Sequence, residues 1–446
     1  MHSPWILGFE GPSPSSDFLG LLERVRPCSL ILFQDNLPRG ARDLPPLRRR
    51  LEEAAGQELF LFLDGEGGWI DPLRGKHHWP SPRAQYEAGL EAVEWLHRAM
   101  AREARSAGVD ALIAPLADID EGLVNPVIGS RSFGGQVEEV REAVLAAMRG
   151  LFAGGQLSVL KHFPGHGESV EDSHLLLPRV PANPLHLEPF RAGIEAGAPA
   201  IMTAHIRWGQ DPRPATFRQD LLYDLLQKEM GFKGLLITDA LEMGGCSSLE
   251  PEQRGLEALR AGCHLLTLAR WTPGAECMID ELEKESARSK SVQLLREEAT
   301  LRWEAFLECR PPASALPEED PEPCIRGVRD SALYGDGRTC HSSDTFAIEF
   351  GSLGSWQQED YLRELSSCSC RVLKKGEPLR SGEIFLYIGR ETPSPERIDP
   401  ARETLLVGPH GWAKDLESCR GSHDPSPRGV LHLLQGNMKE AGRERP

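Results

Sequence analysis

The sequence predicts an α/β protein whose larger part is a (β/α)8 barrel of the TIM type, followed by a smaller α/β domain. Three observations predict it. Short apolar runs bounded by turn residues recur eight times in the first 270 residues, helical patterns separate most of them, and charged or polar residues stand at the ends of several runs. Continuous apolar runs of this length are typical of strands buried on both faces, as in parallel sheets.

The runs give the expected strands of the barrel. These are residues 5–9, 29–33, 59–64, 111–116, 158–163, 200–206, 235–241 and 264–269. Amphipathic patterns predict helices between them, in 81–108, 136–155, 218–234 and 251–262, and a closing helical stretch from about 279 to 309. A doubly wound open sheet is the alternative architecture. No G-x-G-x-x-G follows the first strands, which disfavours a dinucleotide-binding fold.

A proline-rich and acidic stretch, PPASALPEEDPEP at 311–323, predicts a linker after the barrel. The expected organisation is therefore a barrel over residues 1–310, a linker over 311–330 and a small α/β domain over 331–446. The strands expected in this second domain are 344–352, 370–376, 382–390 and 403–411. No tight cluster of catalytic residue types occurs there.

Composition narrows the class of protein. The chain has 446 residues, a net charge of −17 and 40% hydrophobic residues, as expected for a soluble globular protein that does not bind nucleic acid. No apolar run approaches the about 20 residues that span a bilayer, so no membrane association is expected. The N-terminus MHSPWILGFEG has neither a basic leader nor a long apolar core, which predicts a cytoplasmic protein without a signal peptide. The ten scattered cysteines are expected to be neutral thiols.

Polar residues stand where the apolar runs end. In a (β/α)8 barrel these ends meet at one mouth, where active sites lie, so we expect a single shared site. The residues are Asp64, Asp118, Lys161, His162, His205 and Asp239.

The stretch KHFPGHGESVEDSHLLLP, residues 161–178, concentrates titratable side chains in one loop. A metal site built from His162, His166 and His174, a catalytic acid/base and a plain surface loop are the alternatives. The histidine spacing matches no strong zinc signature. Asp172 lies two residues before His174, and a carboxylate at that position can orient the imidazole and raise its pKa. We therefore predict acid/base chemistry here, without a metal or a cofactor.

The glycines of this loop predict motion. Gly165 and Gly167 flank His166 and permit backbone conformations closed to other residues. We expect residues 165–175 to be mobile without ligand and to close when a ligand binds. The alternative is a rigid loop whose glycines serve only tight turns.

Five motifs occur in order along roughly residues 5–270. They are ILFQDN (31–36), LDGEGGWIDPLRG (63–75), NPVIGSRSFG (125–134), KHFPGHGESVEDSH (161–174) and GFKGLLITDALEMGG (231–245). They resemble the family 3 glycoside hydrolases, and among these the bacterial β-N-acetylglucosaminidases of the NagZ type.

The resemblance implies a reaction and a role for each matching residue. Asp239 matches the nucleophile that forms a covalent glycosyl-enzyme, and His174, with Asp172 as its partner, matches an unusual general acid/base. The implied activity is retaining, exo-acting hydrolysis of terminal GlcNAc from muropeptides or related glycosides. The residues implied to hold this small carbohydrate are Asp64, Arg131, Lys161 and His162.

The chain departs from the family pattern in two places. After Gly68 the family usually carries arginines, whereas this chain has residues 69–73, WIDPL, with Arg74 as the nearest arginine. His264 stands where the family often has aspartate.

Two other functions are alternatives to hydrolysis. A phosphorylase on the same scaffold is one, because a neutral histidine repels phosphate less than a glutamate does. A non-catalytic sugar-binding protein is the other, suggested by the altered segment after Gly68. The joint retention of Asp239, Asp172 and His174 argues against the latter.

Overall fold

The computed structural model describes residues 3–311 except 69, 74–76, 78, 122–124, 126 and 170. It also describes residues 321 and 323–325 and the strands of the C-terminal region. Eight parallel strands close into a barrel, so the predicted (β/α)8 fold is confirmed.

The strands of the barrel region alternate with helices along the chain. In chain order they are β1 (Ser3–Leu7), β2 (Pro27–Leu32), β3 (Phe60–Leu63), β4 (Ala111–Leu112), β5 (Leu157–Phe163), β6 (Arg179–Val180), β7 (Ala200–Thr203), β8 (Arg207–Trp208), β9 (Leu235–Ala240) and β10 (Leu265–Leu268). All except β6 and β8 form the barrel in chain order, and β10 pairs with β1 to close it. Each barrel strand overlaps one of the eight predicted runs. The two-residue strands β6 and β8 pair with each other.

The helices confirm the predicted alternation. They are α1 (Ser16–Val25), α2 (Leu44–Ala55), α3 (Pro82–Glu87), α4 (Leu90–Ala107), α5 (Val137–Ala153), α6 (Glu188–Glu195), α7 (Pro251–Ala261), α8 (Glu276–Arg288) and α9 (Lys290–Glu308), with a further helical segment over Asp220–Glu229. The prediction of one helix over 81–108 was wrong. Gly89 adopts a φ of 105°, which residues with a Cβ rarely adopt, and this residue separates α3 from α4.

Alternate residues of the strands face two different cores. Leu30, Leu61 and Leu236 belong to the layer that packs between strands and helices. Ile31, Phe62, Ile237 and their equivalents fill the interior of the barrel. This period of two explains why the runs are apolar throughout, since both faces of every strand are buried.

Helix α9 seals the end of the barrel where the strands begin. Trp303 packs edge-on against Phe60, the first residue of β3, with ring centroids 5.1 Å apart. Phe306 stacks on Phe62 at 6.1 Å. Both rings of α9 are almost fully buried and belong to the interior core. The opposite end of the barrel, where the strands finish, is left for the polar residues.

The C-terminal region contains a second, separate sheet. Its strands are β11 (Leu333–Tyr334), β12 (Thr345–Phe350), β13 (Ser369–Leu373), β14 (Glu383–Ile388), β15 (Thr404–Val407) and β16 (Cys419–Ser422). The order in the sheet is β11-β16-β15-β14-β12-β13, with β11 antiparallel and the others parallel. The four strands predicted in this region are confirmed.

Most of the predicted linker lies outside the described residues. Ile325, within it, is fully buried against Trp79, Leu96 and Met100 of the barrel region. The domain boundaries at 310 and 330 remain a prediction. No helix among the described residues is both long and apolar enough to cross a membrane.

Candidate active site

The polar residues at the predicted strand ends lie together at the mouth of the barrel. Asp64 follows β3, Asp118 follows β4, and Lys161 and His162 lie near the end of β5. Asp239 is the penultimate residue of β9. Because parallel barrel strands all finish on one face, these side chains are brought to one end of the barrel although they are far apart in sequence.

A cluster of four charges fills one side of the mouth. The Lys161 ammonium contacts the Asp64 carboxylate and lies 2.5 Å from Glu66 Oε1. Arg131 donates from Nε and from Nη2 to the two oxygens of Glu66, both at 2.8 Å. Two cations and two carboxylates therefore compensate each other in a largely buried place.

The charges in this cluster are fixed by their neighbours. Burial alone would raise the pKa of Glu66, but the Arg131 and Lys161 cations outweigh it and lower this pKa to about 2. Burial alone would lower the pKa of Lys161, but the carboxylates of Asp64 and Glu66 raise it. Asp64, with 22% of its side chain exposed, is the member most open to a ligand.

Asp118 holds the two histidines of the loop motif. Its carboxylate accepts a hydrogen bond from His162 Nδ1 at 2.7 Å and from the backbone N–H of His166 at 2.7 Å. Burial would raise the pKa of Asp118, but the two histidines lower it to about 2. An ionised Asp118 orients the His162 ring by accepting a hydrogen bond from its Nδ1–H.

Asp239 is a mostly buried carboxylate among imidazoles. Its Oδ1 accepts from the backbone N–H of Ala240 at 2.7 Å. Burial would raise the pKa of Asp239, but the fields of His205, His162 and His174, with the Ala240 N–H, lower it. Asp239 is therefore ionised at neutral pH.

His205 supports the strand that carries Asp239. Its Nε2–H donates to the Ala240 carbonyl at 2.9 Å, and Nδ1 lies 2.8 Å from Thr216 Oγ1. His205 has a pKa that burial lowers, against the opposing field of the Asp239 carboxylate. It fixes the residue after Asp239.

Asp172 and His174 form the predicted pair. His174 Nδ1 lies 2.6 Å from Asp172 Oδ1, and the His174 backbone N–H donates to the same oxygen at 2.9 Å. The His174 side chain is 60% exposed. Since the carboxylate accepts a hydrogen bond from Nδ1–H, Nε2 is the nitrogen that can exchange a proton with a ligand.

Three hydrogen bonds hold this pair at the mouth. His166 Nε2 bonds to Ser173 Oγ at 2.8 Å. The backbone N–H groups of Gly244 and Gly245 donate to the carbonyls of His174 and Ser173, both at 3.0 Å. The pair is therefore tied to the segment that directly follows β9 and Asp239.

Comparison with known proteins decides the family. Residues 28–293 match the family described as the glycosyl hydrolase family 3 N-terminal domain. A protein named beta-hexosaminidase from Methylococcus capsulatus is 33% identical over 297 residues, which are 64% of this chain and 88% of that protein. The chain belongs to glycosyl hydrolase family 3. It is a glycoside hydrolase.

Solved structures are similar to this family 3 enzyme. NagZ from Neisseria gonorrhoeae, in complex with N-trifluoroacetyl-D-glucosamine, is 28% identical with a TM-score of 0.57, over 68% of this chain and 90% of that one. A glycoside hydrolase family 3 beta-N-acetylglucosaminidase from Paenibacillus sp. has a TM-score of 0.81, over 98% of this chain and 96% of that one. At 23% identity the latter likeness concerns the fold alone.

The sequence did not single out every residue of the candidate site. Glu66 was seen only as part of a motif, and Asp118 and His205 were noted at strand ends without a role. Asn125 was also not singled out, although its side-chain amide holds the loop by donating to the carbonyls of His166 and Gly167 at 2.9 and 3.0 Å. No local signal marks Glu66, because its burial and its pairing with Arg131, 65 residues away, depend on the fold.

The three histidines considered as a metal set do not converge in the family 3 enzyme. His162 bonds to Asp118, His166 to Ser173, and His174 to Asp172. Among the described residues they form no group whose ligand atoms meet around one point. Trp69 and Arg74, from the segment where the family usually carries arginines, lie outside the described residues.

Proposed function

We propose that the chain is a retaining, exo-acting β-N-acetylglucosaminidase that removes terminal GlcNAc from muropeptides or related glycosides. The observation that carries the proposal is the Asp172–His174 pair, hydrogen-bonded through the backbone to the segment that follows Asp239. The names of the similar proteins support the sugar, since they are beta-hexosaminidases, and NagZ from Neisseria gonorrhoeae was solved with an N-acylated glucosamine.

In the first step Asp239 attacks the anomeric carbon and forms an ester bond to it. The glycosidic C–O bond breaks, and its oxygen takes the proton from Nε2 of the His174 imidazolium. The Asp172 carboxylate accepts the Nδ1–H throughout, which orients the ring and stabilises its charge. The leaving group departs as a neutral alcohol, and His174 is left neutral.

In the second step water hydrolyses the glycosyl-enzyme. Neutral His174 takes a proton from the water through Nε2 while the water oxygen attacks the anomeric carbon. The ester bond to Asp239 breaks and the carboxylate is regenerated. Two displacements at one carbon give net retention of configuration.

A histidine suits this place better than a second carboxylate. Two nearby carboxylates raise each other's pKa, and glycosidases use this to keep one of them protonated. His174 has the opposite effect, because it helps to lower the pKa of Asp239. The nucleophile and the acid can then both be in the required state near neutral pH.

The charged cluster is proposed to hold the sugar. The Asp64 carboxylate accepts hydrogen bonds from the sugar hydroxyls, and the Lys161 ammonium donates to them. Arg131 and His162 complete the binding of the N-acetylated sugar. Glu66 bonds to both Lys161 and Arg131. It is therefore proposed as the residue that positions both cations.

The test compares chromogenic substrates. The nitrophenyl β-glycoside of GlcNAc is expected to be hydrolysed much faster than that of glucose, and proton NMR of the first product is expected to show the β-anomer. Preference for the glucoside would overturn the assigned sugar, and the α-anomer would overturn the covalent mechanism. Repeating the assay with inorganic phosphate separates hydrolysis from phosphorolysis, because a phosphorylase releases the sugar 1-phosphate.

A further inference from the structure

Three metal-ligating side chains outside the proposed catalytic site converge beside the loop that carries His174. They are Glu121, Glu168 and His186, and one ligand atom of each lies within 4.8 Å of the other two. His186 Nε2 is 3.2 Å from Glu121 Oε1 and 3.7 Å from Glu168 Oε2. The three residues come from three separate segments of the chain, so the fold and not local sequence brings them together.

Two of the three side chains are held in place by packing. His186 is 2% exposed, and its Cβ lies 3.0 Å from the position that a Cβ on Gly165 would take. Glu168 follows Gly167, whose backbone lies so close to the Ile119 carbonyl that a Cβ there would be 1.6 Å from its oxygen. Glu121 is 43% exposed and can adjust.

The charges at this place are not balanced within the cluster. The single Nε2–H of His186 can donate to one carboxylate, and at 3.7 Å Glu168 lies beyond hydrogen-bond distance. A doubly charged cation bonded to both carboxylates and to Nε2 compensates both negative charges, which the proton of one imidazole does not.

We propose that Glu121, Glu168 and His186 bind one divalent cation of the first transition row, such as Mn²⁺ or Zn²⁺. The cation displaces the Nε2 proton and takes one oxygen from each carboxylate, a set of imidazole and carboxylate ligands that suits these ions. At about 2.1 Å per bond, two ligand atoms on one ion are at most about 4.2 Å apart. His186 Nε2 is already within this limit of an oxygen of Glu121 and of Glu168, at 3.2 and 3.7 Å. The ligand atoms of the two carboxylates lie within 4.8 Å of each other, and the exposed Glu121 is the side chain that can adjust.

The site ties the loop to the barrel. Glu168 lies in the same loop as Asp172 and His174, while Glu121 follows β4 and His186 directly precedes α6. A bound cation joins these three segments and restrains the loop at its beginning. The proposed hydrolysis involves no metal, so the role of the cation is structural, and the inference does not rest on the assigned sugar or reaction.

The test is a titration of the full-length chain with Mn²⁺, followed by the EPR signal of free Mn²⁺. Mn²⁺ is the probe because thiolates, which the cysteines of the chain supply, prefer softer ions. The wild type is expected to bind one Mn²⁺, and Glu121→Gln to bind it at least about 10-fold more weakly. Glu121 is exposed, so the variant keeps the fold.

Two controls make the result specific. Glu188→Gln removes a carboxylate outside the cluster whose exposure, 44%, matches the 43% of Glu121. His174→Ala removes the imidazole of the Asp172–His174 pair, where an exposed imidazole also lies beside a carboxylate. Both are expected to bind Mn²⁺ as the wild type does. Hydrogen exchange in residues 165–176 is expected to slow on loading the wild type and not Glu121→Gln.

Three outcomes overturn the inference. They are no site in the wild type, equal affinity in wild type and Glu121→Gln, and loss of the site in His174→Ala alone. None of these measurements requires turnover, so failure of the metal site and failure of the proposed hydrolysis are distinguished.

Discussion

Asp118 shows how one carboxylate can organise a site without touching a ligand. It is fully buried and bonds to the ring and the backbone of His162 and to the backbone of His166. The ring of His166 in turn bonds to Ser173, the residue between Asp172 and His174. A continuous set of hydrogen bonds therefore connects the proposed sugar-binding histidine to the proposed acid/base pair.

The replacement Asp239→Asn is expected to abolish turnover while the fold persists. Asn is nearly the same size and still accepts from Ala240 N–H, but a neutral amide does not form the glycosyl-enzyme. Activity is measured with the nitrophenyl GlcNAc glycoside and folding by circular dichroism. Substantial activity in a folded Asp239→Asn variant would remove Asp239 from the role of nucleophile.

The replacement His174→Ala is expected to lower glycosyl-enzyme formation much more for a natural sugar leaving group than for nitrophenolate. A nitrophenolate leaves without protonation, whereas a sugar alkoxide needs it. Single-turnover rates on both substrates measure the difference. Because His174 is 60% exposed, its loss opens no cavity.

Asp172→Ala is the companion variant and is expected to show the same pattern more mildly, because the imidazole remains but loses its orienting partner. An equal loss on both leaving groups in His174→Ala would contradict the assignment of this residue as proton donor.

For single residues, the sequence predicts a contact when the two partners lie close together in the chain. Asp172 and His174 are two residues apart, and their hydrogen bond is local, so spacing alone predicted it. Glu66 and Arg131 are 65 residues apart, and their pairing depends on how β3 and the segment after β4 meet in the barrel. No pattern in the local sequence shows that two residues so far apart meet, so the role of Glu66 was not predicted.

The loop over 165–175 is the element on which the proposed chemistry depends. Gly165 has a φ of 121° and Gly167 lies against the Ile119 carbonyl, so both glycines serve backbone geometry that a side chain would prevent. Asn125 bonds to the carbonyls of His166 and Gly167 and fixes the beginning of the loop. Mobility of residues 165–175 stays a prediction, and these contacts, together with the hydrogen bonds from Gly244 and Gly245 to His174 and Ser173, oppose it.

The replacement Gly167→Ala is expected to lower both stability and turnover. A Cβ would lie 1.6 Å from the Ile119 oxygen, so the loop must shift, at a cost of about 1–3 kcal/mol. The shift displaces Glu168 to His174, and kcat should fall more for sugar than for nitrophenyl leaving groups. Gly20→Ala is the matched control, since nothing lies within 4 Å of its Cβ position.

Both variants are compared by urea unfolding and by steady-state rates. Gly20→Ala should stay within about 1 kcal/mol of the wild type, because it lies in helix α1. If Gly167→Ala matched Gly20→Ala in both measurements, the close approach to Ile119 would have no consequence for the loop.

Strands were easier to predict than helix ends. Each barrel strand is buried on both faces, so its run of apolar residues is continuous and visible. The division between α3 and α4 depends on a single backbone angle at Gly89, and a glycine inside an amphipathic pattern does not show whether that angle is used.

The whole molecule buries several neutral histidines. Burial lowers the pKa of His97 and of His166 to about 4, and burial with the field of Arg302 lowers that of His264 to about 3. In the unfolded chain a histidine has a pKa of about 6.5. Between these values the unfolded state binds more protons, so the free energy of unfolding falls as the pH is lowered through 6.5 toward 4.

On going from pH 7.5 to pH 5, each such histidine is expected to lower the free energy of unfolding by on the order of 2 kcal/mol. His264→Asn tests one of them, because Asn keeps an acceptor for the Leu236 N–H that now bonds to His264 Nδ1. The free energy of unfolding, measured in urea, should change less between the two pH values in the variant than in the wild type, by about the contribution of one histidine. If the free energy of unfolding changed by the same amount between the two pH values in the variant and in the wild type, His264 would not be a neutral buried histidine.

At this scale the sequence predicted the two-part organisation from a change in composition at 311–323 and from strand-like runs on both sides. It did not predict that part of the linker is attached to the barrel. Ile325 fits against Trp79, Leu96 and Met100, and a lone isoleucine in a polar stretch does not reveal its partners. Such contacts depend on the shape of the folded surface.

The position of α9 has a consequence for the order of events during synthesis. Phe60 and Phe62 leave the ribosome early, but the rings that cover them, Trp303 and Phe306, are made after the last barrel strand. At about 5–20 residues per second, the roughly 250 residues in between take on the order of ten to fifty seconds. During that interval Phe60 and Phe62 lack the rings that cover them in the folded protein, and chaperones that bind exposed aromatic side chains have that time in which to act.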